Sequence, residues 1–231
     1  MRSLYKLFVA SIAKRSRVLT MAAVGALGIL LGVVVGLGDE VDRGAQFISR
    51  FGLLLVVPIA SLVFASAALG DPVEDRTLVY LWLKPVQRWK IIVAATLAAV
   101  SVTLPLVGVP LIIASSFTGG GRDLVFATAL ACAVGITAYT GLFVYLGLRV
   151  KRALLWGLGY ILIWEGFIAR AGTNASRLSV RGHTRSILER LTDAEFELAD
   201  FSIGYSVAMP LLAMAVAVSL ASVRLSRQDV D

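Results

Sequence analysis

The sequence predicts an all-α integral membrane protein: a six-helix transmembrane bundle with an N-terminal interfacial helix and short helices in its polar loops. Three observations carry this. The 231 residues are 58% hydrophobic, with a mean hydropathy of +0.84. Counted with Gly and without Tyr, the apolar share is about 64%, against about 45–50% in soluble domains. Charge falls in short clusters between long uncharged stretches, the pattern of a polytopic membrane protein. Six of those stretches approach the roughly 20 residues that cross about 30 Å of hydrocarbon. None alternates with period two as a barrel strand would.

Taken in order, residues 1–17 form the interfacial helix. Leu4, Leu7, Phe8 and Ile12 recur at helical spacing, with Lys6, Lys14, Arg15 and Arg17 elsewhere, as in a helix lying on a leaflet. The alternative is a tail carrying a topogenic charge cluster. The first span is 18–38. Its apolar run exceeds the roughly 7–15 residues of a signal-peptide core, and no A-x-A site precedes Asp39, so it is expected to be retained. The second span, 51–70, contains Pro58. The third, 91–117, is long enough to tilt and contains Pro105 and Pro110. The fourth is 124–148, after the tight turn Gly119-Gly-Gly-Arg122. The fifth is 153–169 and the sixth 203–223. All are rich in Gly, Ala and Ser, which let membrane helices approach closely.

Orientation follows from the basic residues. The side holding the N-terminus, the 71–90 segment, the Arg149–Arg152 turn and the C-terminal end carries 14 Lys and Arg, and the other side carries 8. The positive-inside rule therefore places both termini in the cytoplasm. An even number of spans agrees. The multi-pass chain would reside in the inner or plasma membrane.

The segment 71–90 is the most informative. Leu78, Leu81 and Trp82 share one helical face. Asp71, Glu74 and Asp75 precede that short helix, near its positive dipole end. Pro85 ends it, since proline cannot continue the hydrogen-bond ladder. Arg88, Trp89 and Lys90 anchor the following span at the interface. The result is an amphipathic helix parallel to the membrane. It suits docking to a soluble partner or packing under its own bundle.

Between the last two spans, 170–202 is the largest hydrophilic region. Ile187, Leu188 and Leu191 form an apolar stripe, and Thr192-Asp-Ala-Glu195 matches a capping box, so a second short helix is expected from there. Glu165 is the acidic residue well inside a span. It lies roughly 18 Å along its helix, which puts it in the outer half of the membrane. A carboxylate at mid-membrane costs roughly 2.5–3.5 kcal/mol on insertion scales. That cost calls for a partner or a water-filled cavity, and Arg170 or Arg50 could supply the charge from the outer boundary.

Several chemistries are excluded. Cys132 and His183 are each alone, so no intrachain disulfide and no Cys/His metal site can form. Gly119-Gly-Gly-Arg122 lacks the Lys-Ser/Thr of a phosphate-binding loop, and neither a G-x-S-x-G elbow nor an H-E-x-x-H pair occurs. The net charge of +7 and pI near 9.9 reflect topogenic clusters rather than a nucleic-acid surface.

The run Glu74-Asp-Arg-Thr-Leu, with Leu81, Lys84-Pro-Val-Gln-Arg88 and Ile91, resembles the ABC-2 family of ABC transporter permeases. That family pairs an acidic residue and Thr-Leu with Pro-Val-x-Arg before an Ile-rich third span. Six spans, cytoplasmic termini and an N-terminal interfacial helix extend the resemblance over nearly the whole chain. Arg76 departs from it, since many members have Gly before the Thr. The resemblance implies that 71–90 holds a coupling helix contacting an ATPase subunit, with Glu74, Asp75, Arg76, Thr77 and Tyr80 in coupling and Arg88 as interface anchor. It implies two permease subunits, identical or homologous, and two copies of a separate ATPase that bind ATP and Mg. No cofactor is expected in this chain. It also implies export, and short extracellular helices capping the path. Glu165 is then a contact or gate in the translocation path, or a structural ion pair. The alternatives are a membrane assembly or structural component and a non-ABC, proton-coupled carrier.

Overall fold

Uncharged stretches that cannot hydrogen-bond to lipid must satisfy their own backbone, and helices do so locally. The computed structural model describes residues 1–38, 42–74, 87–170, 172–192, 194 and 201–227. Among them there is no strand. The helices are α1 (Arg2–Ile12), α2 (Arg15–Gly36), α3 (Arg43–Gly70), α4 (Asp71–Glu74), α5 (Arg88–Phe117), α6 (Gly121–Arg149), α7 (Ala153–Glu165), α8 (Thr173–Arg177), α9 (Val180–Thr192) and α10 (Ile203–Arg227).

Five of them, α2, α3, α5, α6 and α10, are long and apolar enough to cross a membrane. Their lengths and composition describe a multi-pass membrane protein. The expected span 153–169 is different. Its helix α7 ends at Glu165 and has thirteen residues, about 20 Å at 1.5 Å per residue. A turn and the 3₁₀ turn Ile168–Arg170 follow.

The central helix is α3. Of its most apolar window 78% is buried, against 22% for α2 and for α10. On those outer helices Leu30 and Leu212 stay about as exposed as surface polar residues, at 60% and 59%. Exposed apolar faces of this extent suit lipid rather than water. Gly25, Gly32 and Gly36 of α2 lie against Pro110, Ala114 and Phe117 of α5, where a Cβ would come within 3.0 Å of its neighbours. Small residues on that stripe therefore let two helices approach closely.

Prolines mark the irregular turns. Three π-helical stretches, Ile48–Val56, Ser66–Gly70 and Leu104–Gly108, each end two residues before a proline: Pro58, Pro72 and Pro110. The residue before each proline, Val57, Asp71 or Val109, donates to the carbonyl five back, on Gly52, Ser66 or Leu104. Widening the turn clears the preceding carbonyls from a ring that would collide with them in a regular α-helix.

Helix α1 buries Leu4, Phe8 and Ile12 against the bundle, while Leu7 faces outward at 42% exposure. It packs on α5, and the Tyr5 hydroxyl hydrogen-bonds Ser101 Oγ at 2.8 Å, about 20 Å along α5. The helix is docked on the bundle through the i, i+4, i+8 face, and Leu7 is not part of that contact.

One end of the bundle is basic. Arg17 at the base of α2 forms an ion pair with Asp71. Arg88 at the start of α5 donates to the Leu225 carbonyl near the end of α10 at 2.6 Å. Arg224 donates through Nε to the Leu148 carbonyl at the end of α6 at 3.1 Å. The turn 150–152 lies at the same end, where Ala153 packs beside Gly70.

Candidate functional site

The site is built from a helix that stops short. α7 enters from the basic end and closes with a π-turn, in which Gly166 N–H donates to the Ile161 carbonyl at 3.0 Å. This turn delivers Glu165 into the bundle fully buried. After residues 166–179 the chain resumes as α9, which packs between α6 and α10. Val180, Arg181, Gly182, His183, Thr184, Ser186, Ile187 and Leu188 are all buried. The hydrophilic 170–202 region was expected to hold short helices, and α9 is one of them. It is buried against α6 and α10, with Ile187 and Leu188 fully buried and Thr184 lying against Gly135 of α6. α7 and α9 are thus two half-helices interrupted inside the bundle.

Glu165 joins them. The first four main-chain N–H groups of a helix have no intrahelical acceptor, and in α9 each finds one. Ser179 N–H donates to the Ser176 carbonyl at 3.1 Å. Val180 N–H donates to Glu165 Oε1 at 3.1 Å and Arg181 N–H to Glu165 Oε2 at 3.2 Å. Gly182 N–H donates to Ser179 Oγ at 2.8 Å. Tyr160 O–H gives Glu165 Oε1 a further bond at 3.0 Å, and Arg181 Nη1 donates to the Glu165 main-chain oxygen at 3.1 Å. The carboxylate accepts on both oxygens at the positive end of a helix dipole, the arrangement that best suits a buried negative charge.

Aromatic rings wall the carboxylate. Tyr139 stacks on Phe143 at 5.9 Å, and Phe143 meets the edge of Tyr160 at 6.0 Å. The Tyr139 hydroxyl faces Glu165 but lies outside hydrogen-bonding geometry. Tyr139 lies about 15 Å from the Arg149 end of α6, a helix about 43 Å long. Glu165 itself lies about 18 Å along α7 from the basic end.

The next turn of α9 is fastened to α10. His183 Nε2–H donates to the Arg177 carbonyl at 2.9 Å, and its ring lies 5.3 Å from those of Phe201 and Tyr205. Gly182 permits the tight return of the chain: a Cβ there would lie 2.4 Å from the Ser176 carbonyl oxygen.

Of the two expected ionic partners of Glu165, only Arg50 has a described side chain. Arg50 is exposed and does not contact it, and the Arg170 side chain lies outside the described residues. The described donors to its carboxylate are Tyr160 O–H and the Val180 and Arg181 N–H groups. Ser179 was missed, although a serine at the start of a helix is an N-cap signal. Nothing in the sequence pointed to Tyr160 or to an acceptor fifteen residues upstream. Thr192 ends α9 and donates to the Leu188 carbonyl at 2.7 Å, and the helix expected after it lies outside the described residues. Of the coupling residues, Asp75, Arg76, Thr77 and Tyr80 lie outside the described residues, as does the side chain of Glu74, whose backbone closes α4. Arg88 is described and binds Leu225. Among the described residues no three His, Cys, Asp or Glu side chains gather as a metal set would require.

No family model matches the chain, and no curated protein matches it.

Proposed function

We propose that the chain is the transmembrane subunit of an ATP-driven transporter of the ABC-2 permease type, acting as an exporter with separate ATPase subunits. The observation that carries this reading is the attachment of the 71–90 segment. Its first residue, Asp71, is paired with Arg17 at the base of α2. Its far end, Arg88, holds the last turn of α10. A push on the segment from a soluble ATPase would reach the first and last long helices together. That is what a coupling element needs; the Thr-Leu motif falls between these anchors and the Pro-Val-x-Arg motif ends on the second of them. ATP and Mg would bind the partner, and the termini would face the cytoplasm with the basic end of the bundle.

The test is gentle affinity purification of the tagged chain from its native membranes, with mass spectrometry of what co-elutes. A stoichiometric P-loop ATPase supports the reading. Replacing Glu74 and Asp75 with Ala should weaken that association while the protein stays in the membrane. Unchanged association removes the segment from docking.

A second reading, a proton-coupled carrier, is favoured by one observation. Interrupted helices around a buried ionisable residue are how many secondary transporters build their sites, and α7, Glu165 and α9 have that form. Reconstituted transport that requires a proton gradient and no ATP would select it.

A further inference from the structure

The three-residue turn between α6 and α7, with the last residue of α6, exposes Arg149, Lys151 and Arg152 together. Among the described residues no carboxylate pairs with any of the three. Arg152 is also conformationally unusual. It is the N-cap of α7 at φ 57 and ψ 50, the left-handed region, and the one residue other than glycine with positive φ among the described residues. An L-residue pays for that conformation and glycine does not. Glycine would adopt this backbone without strain, so the turn itself does not call for arginine at 152.

The surroundings say what it meets. One turn along α7, Trp156 is 64% exposed and Leu155 61%. Leu158, Leu162 and Ile163 continue an exposed apolar surface up the helix. Tryptophan at that position is an interface residue. Three cations thus stand at the foot of a surface that hydrocarbon chains would cover. Arg224 stands beside them, fixed to the Leu148 carbonyl.

We infer that the Arg149–Arg152 turn binds the headgroup of an anionic phospholipid, with the acyl chains lying along α7. Phosphate meets the three cations at the interface, and the apolar face of α7 supplies what a free phosphate ion could not use. The inference needs only the membrane location, and stands whichever transport reading holds.

The experiment is native mass spectrometry of the detergent-solubilised full chain, titrated with phosphatidylglycerol or with phosphatidylcholine of the same acyl chains. The parent protein should retain phosphatidylglycerol in preference. Each basic residue near a membrane surface contributes about fivefold, so Arg149→Gln with Lys151→Gln and Arg152→Gly should lower that affinity by about a hundredfold. Arg152→Gly alone should lower it about fivefold, with a thermal midpoint in phosphatidylcholine nanodiscs equal to or above the parent's. That opposite sign separates a binding residue from a structural one. Removing Arg2, Lys6 and Arg15 as glutamines discards the same charge and should leave the preference in place. Unchanged affinity in the turn variants overturns the site, as does an equal loss in the control. Displacement of the lipid by excess inorganic phosphate would overturn the lipid assignment. If the triple variant does not fold, Lys151→Gln and Arg152→Gly read singly decide the matter.

Discussion

Glu165 Oε1 accepts the main-chain N–H of Val180 at 3.1 Å across fifteen residues of sequence. The bond ties the last residue of one half-helix to the first of the next. Oε2 takes Arg181 N–H in the same way, so one side chain replaces two of the acceptors that a continuous helix would have supplied from its backbone. α9 can stay buried beside α6 only while those donors are satisfied, because an unpaired N–H inside an apolar bundle is costly. The α7–α9 arrangement therefore depends on one carboxylate.

Substituting Glu165 should cost stability first. Glu165→Ala leaves Val180 N–H, Arg181 N–H and the Tyr160 hydroxyl without their acceptor, a loss of about 3–5 kcal/mol. Glu165→Gln keeps one acceptor and turns an amide N–H toward a backbone N–H, for about 2–3 kcal/mol. Thermal midpoints in nanodiscs and the yield of folded protein measure both. A Glu165→Gln protein as stable as the parent, but without substrate-stimulated ATP hydrolysis in its complex, would place the residue in the transport path instead of the latch.

The return of the chain into α9 is equally exacting. In Gly182→Ala the new methyl would lie 2.4 Å from a backbone oxygen and 2.6 Å from Ser176 Oγ, and the carbonyl cannot move without losing its bond from Ser179. A loss of about 1–3 kcal/mol follows. Gly204→Ala at the start of α10 meets open space and should be neutral or stabilising by up to about 1 kcal/mol. The two thermal shifts, measured side by side, separate crowding from any general effect of alanine.

Which parts of this were legible in the sequence depends on how local the signal is. Hydropathy and charge spacing located α2, α3, α5, α6 and α10, because a span is a property of about 20 consecutive residues. The same count extended the fifth segment to Ala169, since Phe167, Ile168 and Ala169 are apolar and continue the run. Nothing local says that the helix unwinds after Glu165. That break is set by Val180 and Arg181, whose N–H groups need an acceptor that only the folded bundle brings near. Leu7 was grouped with Leu4, Phe8 and Ile12 on the apolar face of a helix lying on the leaflet, whereas the i, i+4, i+8 register of those three decides the face that docks on the bundle. Arg88, beside Trp89 and Lys90, was read as an anchor at the membrane interface, whereas the contact it makes is with α10. Its acceptor, the Leu225 carbonyl, lies 137 residues away and carries no sequence signal.

On the permease reading proposed above, in which the chain works in complex with an ATPase, the Arg17–Asp71 pair should matter more for coupling than for stability. Its side chains are 26% and 36% exposed, and ion pairs so accessible to water contribute about 0.2–1 kcal/mol. Arg17→Asp or Asp71→Arg alone should therefore leave the thermal midpoint nearly unchanged and reduce substrate-stimulated ATP hydrolysis by the complex. The double exchange, Arg17→Asp with Asp71→Arg, should restore it. Raising the salt concentration should weaken the parent's coupling in the same direction, because screening acts on exposed charges. Failure of the exchange to rescue would show that the pair is incidental.

Arg88 makes the complementary link, and its loss should be read locally. The last four carbonyls of a helix have no intrahelical donor. In α10 the guanidinium supplies one, through a 2.6 Å bond from Nη1 to Leu225 oxygen. A charged donor on a partly buried carbonyl contributes about 1.5–3 kcal/mol. Arg88→Ala removes that donor and should fray the end of α10, seen as faster hydrogen exchange at residues 222–227 with the middle of the helix unchanged. Arg88→Lys retains the charge but has a shorter reach and no planar fork, and should recover only part of the protection. Exchange that rises along the whole of α10 would mean that Arg88 supports the bundle generally. Exchange confined to the last turn, with weaker ATP-driven activity, would identify the link through which the 71–90 segment acts on the final helix.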